Sequence, residues 1–144
     1  MALPRPEPGL VIRYNFLWRS EADAGREDAS KVRPCAIITA VERLGDRTIV
    51  TVVPITHAAP REAADAIEMP QPLKQSLGLD DDRSWIVTTE LNTFEWPGPD
   101  IEPIKPGSQK MAYGRLPKAM LAAVLRASLT YMRSGRARPV KRTE

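Results

Sequence analysis

Proline is the strongest constraint on what this chain can fold into. The sequence carries 14 prolines in 144 residues, about twice the usual share. They cluster at Pro4–Pro8, Pro54–Pro60, Pro70–Pro72 and Pro97–Pro106. A proline removes a ladder donor and ends a central strand or a helix interior, so no long element crosses these clusters. The runs between them are short and rich in β-branched residues, which predicts strands over Leu10–Phe16, Ala36–Ala40, Thr48–Ile55, Ala66–Met69 and Ser84–Leu91. Glu42–Arg47 contains a Gly-Asp turn and joins the second and third as a hairpin.

One long helix is expected. Over Pro117–Met132, the residues Leu121, Val124, Leu125, Ser128, Leu129 and Met132 form a stripe of 3–4 spacing, with Pro117 in the first turn and Gly135 at the stop. A shorter helical turn is expected at Leu73–Leu77, before the acidic turn Asp80–Asp82. The charged segment Trp18–Lys31 reads as a long loop, and loops of that size inside compact domains are often functional. Short strands without a βαβ rhythm, followed by a helix, predict a mainly β small barrel with a C-terminal helix, one domain over 1–134. Residues 135–144 read as a disordered basic tail.

The hydrophobic share of 42% and charged share of 27% are those of an ordinary globular chain, which excludes global disorder, collagen and a coiled coil. The longest run without Lys, Arg, Asp or Glu, Thr48–Pro60, is too short to span a bilayer, and MALPRPEPG has no apolar signal core. A lone cysteine, Cys35, fits a reducing compartment. The expectation is a cytoplasmic protein with no membrane partner. From Arg126 onward six basic residues face Glu144 alone; of the total charge of +3, residues 1–125 carry −2. Such a tail either binds nucleic acid or an acidic partner, or is a solvated terminus.

Familiar catalytic signatures (P-loop, GxSxG, CxxC pair, HExxH) are absent from the sequence, and one histidine with one distant cysteine argues against a zinc site. No metal or cofactor is expected. Three polar positions lie at strand ends. Arg33, in Lys31-Val32-Arg33-Pro34, is a cation emerging from the long loop onto a sheet edge, suited to a phosphate or to a surface ion pair. Thr56 and His57 end the third strand; imidazole is the commonest general acid or base. Glu90, in Thr88-Thr89-Glu90-Leu91-Asn92, reads as a general base, a partner for Arg33, or an exposed edge charge. Trp85 and Trp96 flank that strand; either can stack a base, with Trp85 the better core candidate.

Taken in order, these segments resemble the MazF/PemK/Kid family of bacterial toxins. The resemblance rests on Gly9-Leu10-Val11-Ile12-Arg13-Tyr14, a long loop, KVRPCAIIT, a strand ending in VVPITHAAP, WIVTTELN, and the helix LPKAMLAAVL, covering roughly residues 9–132. It implies an SH3-like barrel that forms a homodimer. It also implies a metal-independent endoribonuclease that cuts single-stranded RNA, mRNA included, and is restrained by a cognate antitoxin protein. Residue by residue, the family's arginine before proline falls on Arg33, its threonine on Thr56 and its acidic residue on Glu90. Kid-like members carry an arginine two positions before that acid, where this chain has Thr88.

RNA supplies its own nucleophile, the 2′-hydroxyl. The protein must supply a base, an acid and a cation for the phosphorane. The expected assignment is Arg33 as cation, Glu90 as base and His57 as acid, in reversible order, with Thr56 bonding the phosphate and Lys31, Asn92 and Trp96 contacting RNA. The alternatives are a CcdB-like barrel that poisons DNA gyrase through its C-terminal helix, and a degenerate barrel kept for interactions alone.

Overall fold

The computed structural model describes residues 3–142 except 28, 30 and 44. The elements run β1 (Leu10–Tyr14), α1 (Arg19–Asp23), β2 (Arg33–Arg43), β3 (Arg47–Thr56), β4 (Ala66–Glu68), α2 (Gln71–Ser76), β5 (Trp85–Val87), β6 (Asn92–Trp96), β7 (Ile101–Glu102), β8 (Ala112–Arg115), α3 (Lys118–Arg133) and β9 (Val140–Lys141). The chain is mainly β with a C-terminal helix, as expected. Among the described residues no helix is long and apolar enough to cross a membrane.

The strands form one open sheet in the order β4-β5-β3-β2-β1-β7, with β6 also on β3, β8 also on β1 and β9 on β6. All pairs are antiparallel except β6 with β9. The β2–β3 hairpin is the spine. It turns at Gly45 and Asp46, both at positive φ, which glycine and aspartate tolerate best. A bulge between Ile37 and Thr39 bends β2.

Both faces of this spine are covered. Val11, Ala36, Ile38 and Val53 enter one cluster with Val124 of α3, while Ile12, Cys35, Ile37 and Val52 enter another with Tyr14, Phe16 and Phe94. Successive residues of a strand point to opposite faces, so a strand buried on both sides reads as a continuous apolar run rather than an alternating one. That is why CAII and VV look as they do.

Three expectations need correction. Proline does not stop the strands at the hairpin's open end: Pro34 pairs with Arg13 and Pro54 with Cys35. Pro54 is tolerated because β3 changes partner there. Its outer edge pairs β6 through Val52 and β5 from Ile55, so the missing N–H falls at the gap between the two. The strand expected over Ser84–Leu91 ends at Val87, since Thr88 is fully buried and turns the chain by donating its hydroxyl to the Asp65 carbonyl at 2.9 Å. The chain then re-enters the sheet as β6. Last, residues 137–142 are ordered into the fold rather than trailing from it: Ala137 and Val140 are buried and Val140–Lys141 pairs with Asn92–Thr93. Arg142, also buried, donates from this segment to Asn15 O, Asn92 Oδ1 and Asp100 Oδ2. Residues 143 and 144 lie outside the described residues.

Candidate functional site

Two of the polar motifs meet because β2 and β3 are antiparallel. Cys35 lies opposite Pro54, and continuing that register by two residues brings Arg33 opposite Thr56. The open end of the hairpin therefore gathers Lys31, Arg33, Thr56 and His57 around one cleft of about 360 Å³. Its far wall is built by α2 and the following turn, which contribute Lys74, Asp80 and Ser84.

His57 is hydrogen-bonded to the turn after α2. Its Nε2 lies 3.1 Å from Asp80 Oδ1 and 2.9 Å from Oδ2, which leaves Nδ1 as the nitrogen able to exchange a proton with a bound molecule. Asp80 is in turn gripped from beneath. The buried Lys74 ammonium donates to Asp80 Oδ1 at 2.8 Å and to the Asp82 carbonyl, and the Asp82 N–H donates to the same Oδ1 at 3.2 Å. The Lys74 hydrogen bond, aided by the charge of His57, holds the Asp80 carboxyl below its ordinary range. His57, Asp80 and Asp82 bring one possible metal-ligating atom each within 4.8 Å of one another. The Lys74 ammonium is bonded to Asp80 Oδ1 at the same spot and offsets part of the negative charge there.

Across the cleft, Arg33 stacks its guanidinium on Trp18, 5.0 Å from the ring centroid. Its Nε is buried with no hydrogen-bond partner among the described residues. Thr56 Oγ1 accepts from the Ala58 N–H at 3.2 Å, which leaves its hydroxyl proton to donate elsewhere.

The remaining sequence candidates sit elsewhere. Glu90 Oε1 accepts the Arg19 N–H at 2.8 Å, satisfying an orphan donor in the first turn of α1. Burial pushes the Glu90 carboxyl above its ordinary range, against the opposing Arg19 hydrogen bond and charge. Glu90 is not among the residues lining the cleft. Asn92 is fully buried: its Oδ1 accepts from Leu17 N at 2.8 Å and its Nδ2 donates to Leu17 O at 2.7 Å, so its amide clamps the loop after β1 to β6. Trp96 stacks on Phe94 at 6.3 Å between centroids and pairs with Thr48, at the opposite end of β3 from Thr56. Eight residues of strand separate those ends, roughly 26 Å. Lys74 and Asp80 are the site residues that sequence reading misses; the acidic turn reads only as a turn, and nothing in QPLKQS announces a buried lysine.

Compared with models of known protein families and with curated proteins, the chain matches none.

Proposed function

We propose that the chain is a toxin-type endoribonuclease like those of the MazF/PemK/Kid family, an SH3-like barrel that cleaves single-stranded RNA without a metal ion, works in the cytoplasm as a homodimer and is restrained by an antitoxin protein. The observation that carries this reading is the meeting of Arg33, Thr56 and His57 in one cleft, with His57 held by Asp80. The barrel reading draws on the bend in β2 and on the apolar cluster enclosed between β1, β2, β3 and β6.

In this reading Arg33 and Lys31 receive the scissile phosphate and Thr56 donates its hydroxyl to a phosphate oxygen. The 2′-oxygen attacks the adjacent phosphorus while its proton passes to His57 Nδ1, and Asp80 stabilises the imidazolium so formed. The bond from phosphorus to the 5′-oxygen breaks, that oxygen takes a proton from water in the open cleft, and the proton on His57 Nδ1 neutralises the hydroxide so formed, which returns the imidazole to its starting state. Arg33 balances the charge that gathers on the phosphorane. The products are a 2′,3′-cyclic phosphate and a 5′-hydroxyl. Glu90, engaged at the N-terminus of α1, takes no proton here; acid–base work falls to His57.

The test is cleavage of a mixed single-stranded RNA in EDTA with chemical analysis of the ends, for wild type, Arg33→Ala and His57→Gln. Cyclic-phosphate ends from wild type, reduced about 10²- to 10⁴-fold in each variant, are expected. RNA left intact by wild type while expression still arrests growth would replace this reading with a protein-poisoning barrel.

A further inference from the structure

Lys74 is 1% exposed, in a molecule whose other lysines among the described residues are at the surface. Lysine is almost never fully buried unless its charge is compensated. Here the compensation comes from Asp80, a carboxylate whose side chain is itself 53% exposed. The exposed member is therefore fixed from below: Lys74 Nζ and the Asp82 N–H both donate to its Oδ1. An exposed Asp–His contact on its own is loose and worth little. This one is tied to a buried side chain of α2 whose ammonium also bonds the Asp82 carbonyl.

We propose that Lys74 is a positioning residue for His57: its buried ammonium pins the Asp80 carboxylate, and the pinned carboxylate fixes the imidazole over the cleft. The anchoring stands on geometry; its effect on turnover rests on the ribonuclease reading. The charged groups facing His57 are Asp80 and Asp82 from the turn after α2, Lys74 beneath them, and Lys31 and Arg33 across the cleft. Among the described residues only Asp80 is hydrogen-bonded to both the lysine and the histidine.

Lys74→Met keeps the length of the apolar stem and removes the ammonium. In that variant the Asp80 carboxyl, followed by carbon-13 NMR, titrates at a higher pH than in wild type. The ring signals of His57, unambiguous because the chain has one histidine, show fast reorientation by relaxation. The kcat for RNA cleavage falls about 10- to 100-fold with KM unchanged, since the phosphate-binding side is untouched. Asp80→Ala, in the exposed turn, frees the ring in the same way, and wild-type Lys74 ammonium protons exchange with water more slowly than those of the exposed lysines. These two measurements decide the matter if Lys74→Met does not fold. The proposal is overturned by an Asp80 titration or a His57 ring order unaltered in Lys74→Met, by a ring still fixed in Asp80→Ala, by fast Lys74 exchange, or by full kcat with a freed ring. Failure of wild type to cut RNA at all would sink the ribonuclease reading while leaving the NMR measurements to judge the anchoring.

Discussion

Asp80 and Glu90 are carboxylates pushed in opposite directions by their surroundings. The Lys74 ammonium lowers Asp80, so its ionised form favours the fold; that contribution is present above the ordinary carboxylate range and is lost as pH falls through the lowered value. Burial raises Glu90. Between its ordinary and raised values the folded chain binds more proton than the unfolded one, so stability declines as pH rises through that window. Glu90→Gln keeps an acceptor for the Arg19 N–H and removes the buried charge. The variant is expected to flatten the decline of Tm from acid toward neutral pH, to be at least as stable as wild type at pH 7, and to cleave RNA at the wild-type rate. Loss of cleavage would return Glu90 to the role of base. Arg33, Thr56 and His57 were legible in sequence because polar groups at the ends of apolar runs stand out. Their meeting follows from one hairpin register. Lys74 and Asp80 were not legible, because a lysine in a short helix looks solvated until the turn 80–82 folds over it.

At the scale of elements, the C-terminal return depends on Arg142. Its guanidinium is buried, lies over Tyr14 with 5.5 Å to the ring centroid, and donates to Asn15 O at 2.5 Å, Asn92 Oδ1 at 3.1 Å and Asp100 Oδ2 at 3.3 Å. One side chain thus joins the ends of β1 and β6 and the approach to β7. Arg142→Leu leaves the Asn15 carbonyl without this donor and Asp100 without its buried partner. A loss of about 2–4 kcal/mol in urea unfolding is expected. A loss below about 0.5 kcal/mol, the usual range of surface substitutions, would mean that β9 merely rests on the sheet. The sequence shows six basic residues near the end and no sign that one of them is internal, since burial of an arginine is decided by acceptors up to 128 positions away. The strands β6, β7, β8 and β9 are likewise invisible in advance. Each is two to five residues long and three are bounded by proline or glycine, so they exist as strands only because β1, β3 and β6 offer edges to pair with. By contrast α3 is set by its own periodicity: Val124 and Ser128 are buried, and Leu121, Leu125 and Met132 pack beside them as the stripe requires.

For the whole molecule the consequence of a spine buried on both faces is cooperativity. Val11 and Ile12, Ile37 and Ile38, and Val52 and Val53 are neighbours in the chain whose members enter different apolar clusters. Neither cluster can come apart without moving the strands that build the other, and α3 is tied to the same frame by the Ser128 hydroxyl bonding the Thr88 carbonyl at 3.0 Å. The tryptophans make this measurable. Trp18 and Trp96 pack on the cluster containing Tyr14 and Phe94, whereas Trp85 sits in β5 beside Ile86 of the helix-covered cluster. Variants that keep Trp85 alone, or Trp18 and Trp96 without it, should give fluorescence transitions in urea at the same midpoint as the helical circular dichroism of α3 within each variant. The shared m-value should be about 1–3 kcal/mol/M. If the Trp85 signal were lost at a lower urea concentration than that of Trp18 and Trp96, the helix-covered layer would be a separate unit. The cleft would then open with it, because Thr56 pairs directly with Trp85, and its geometry would hold only while that layer is docked.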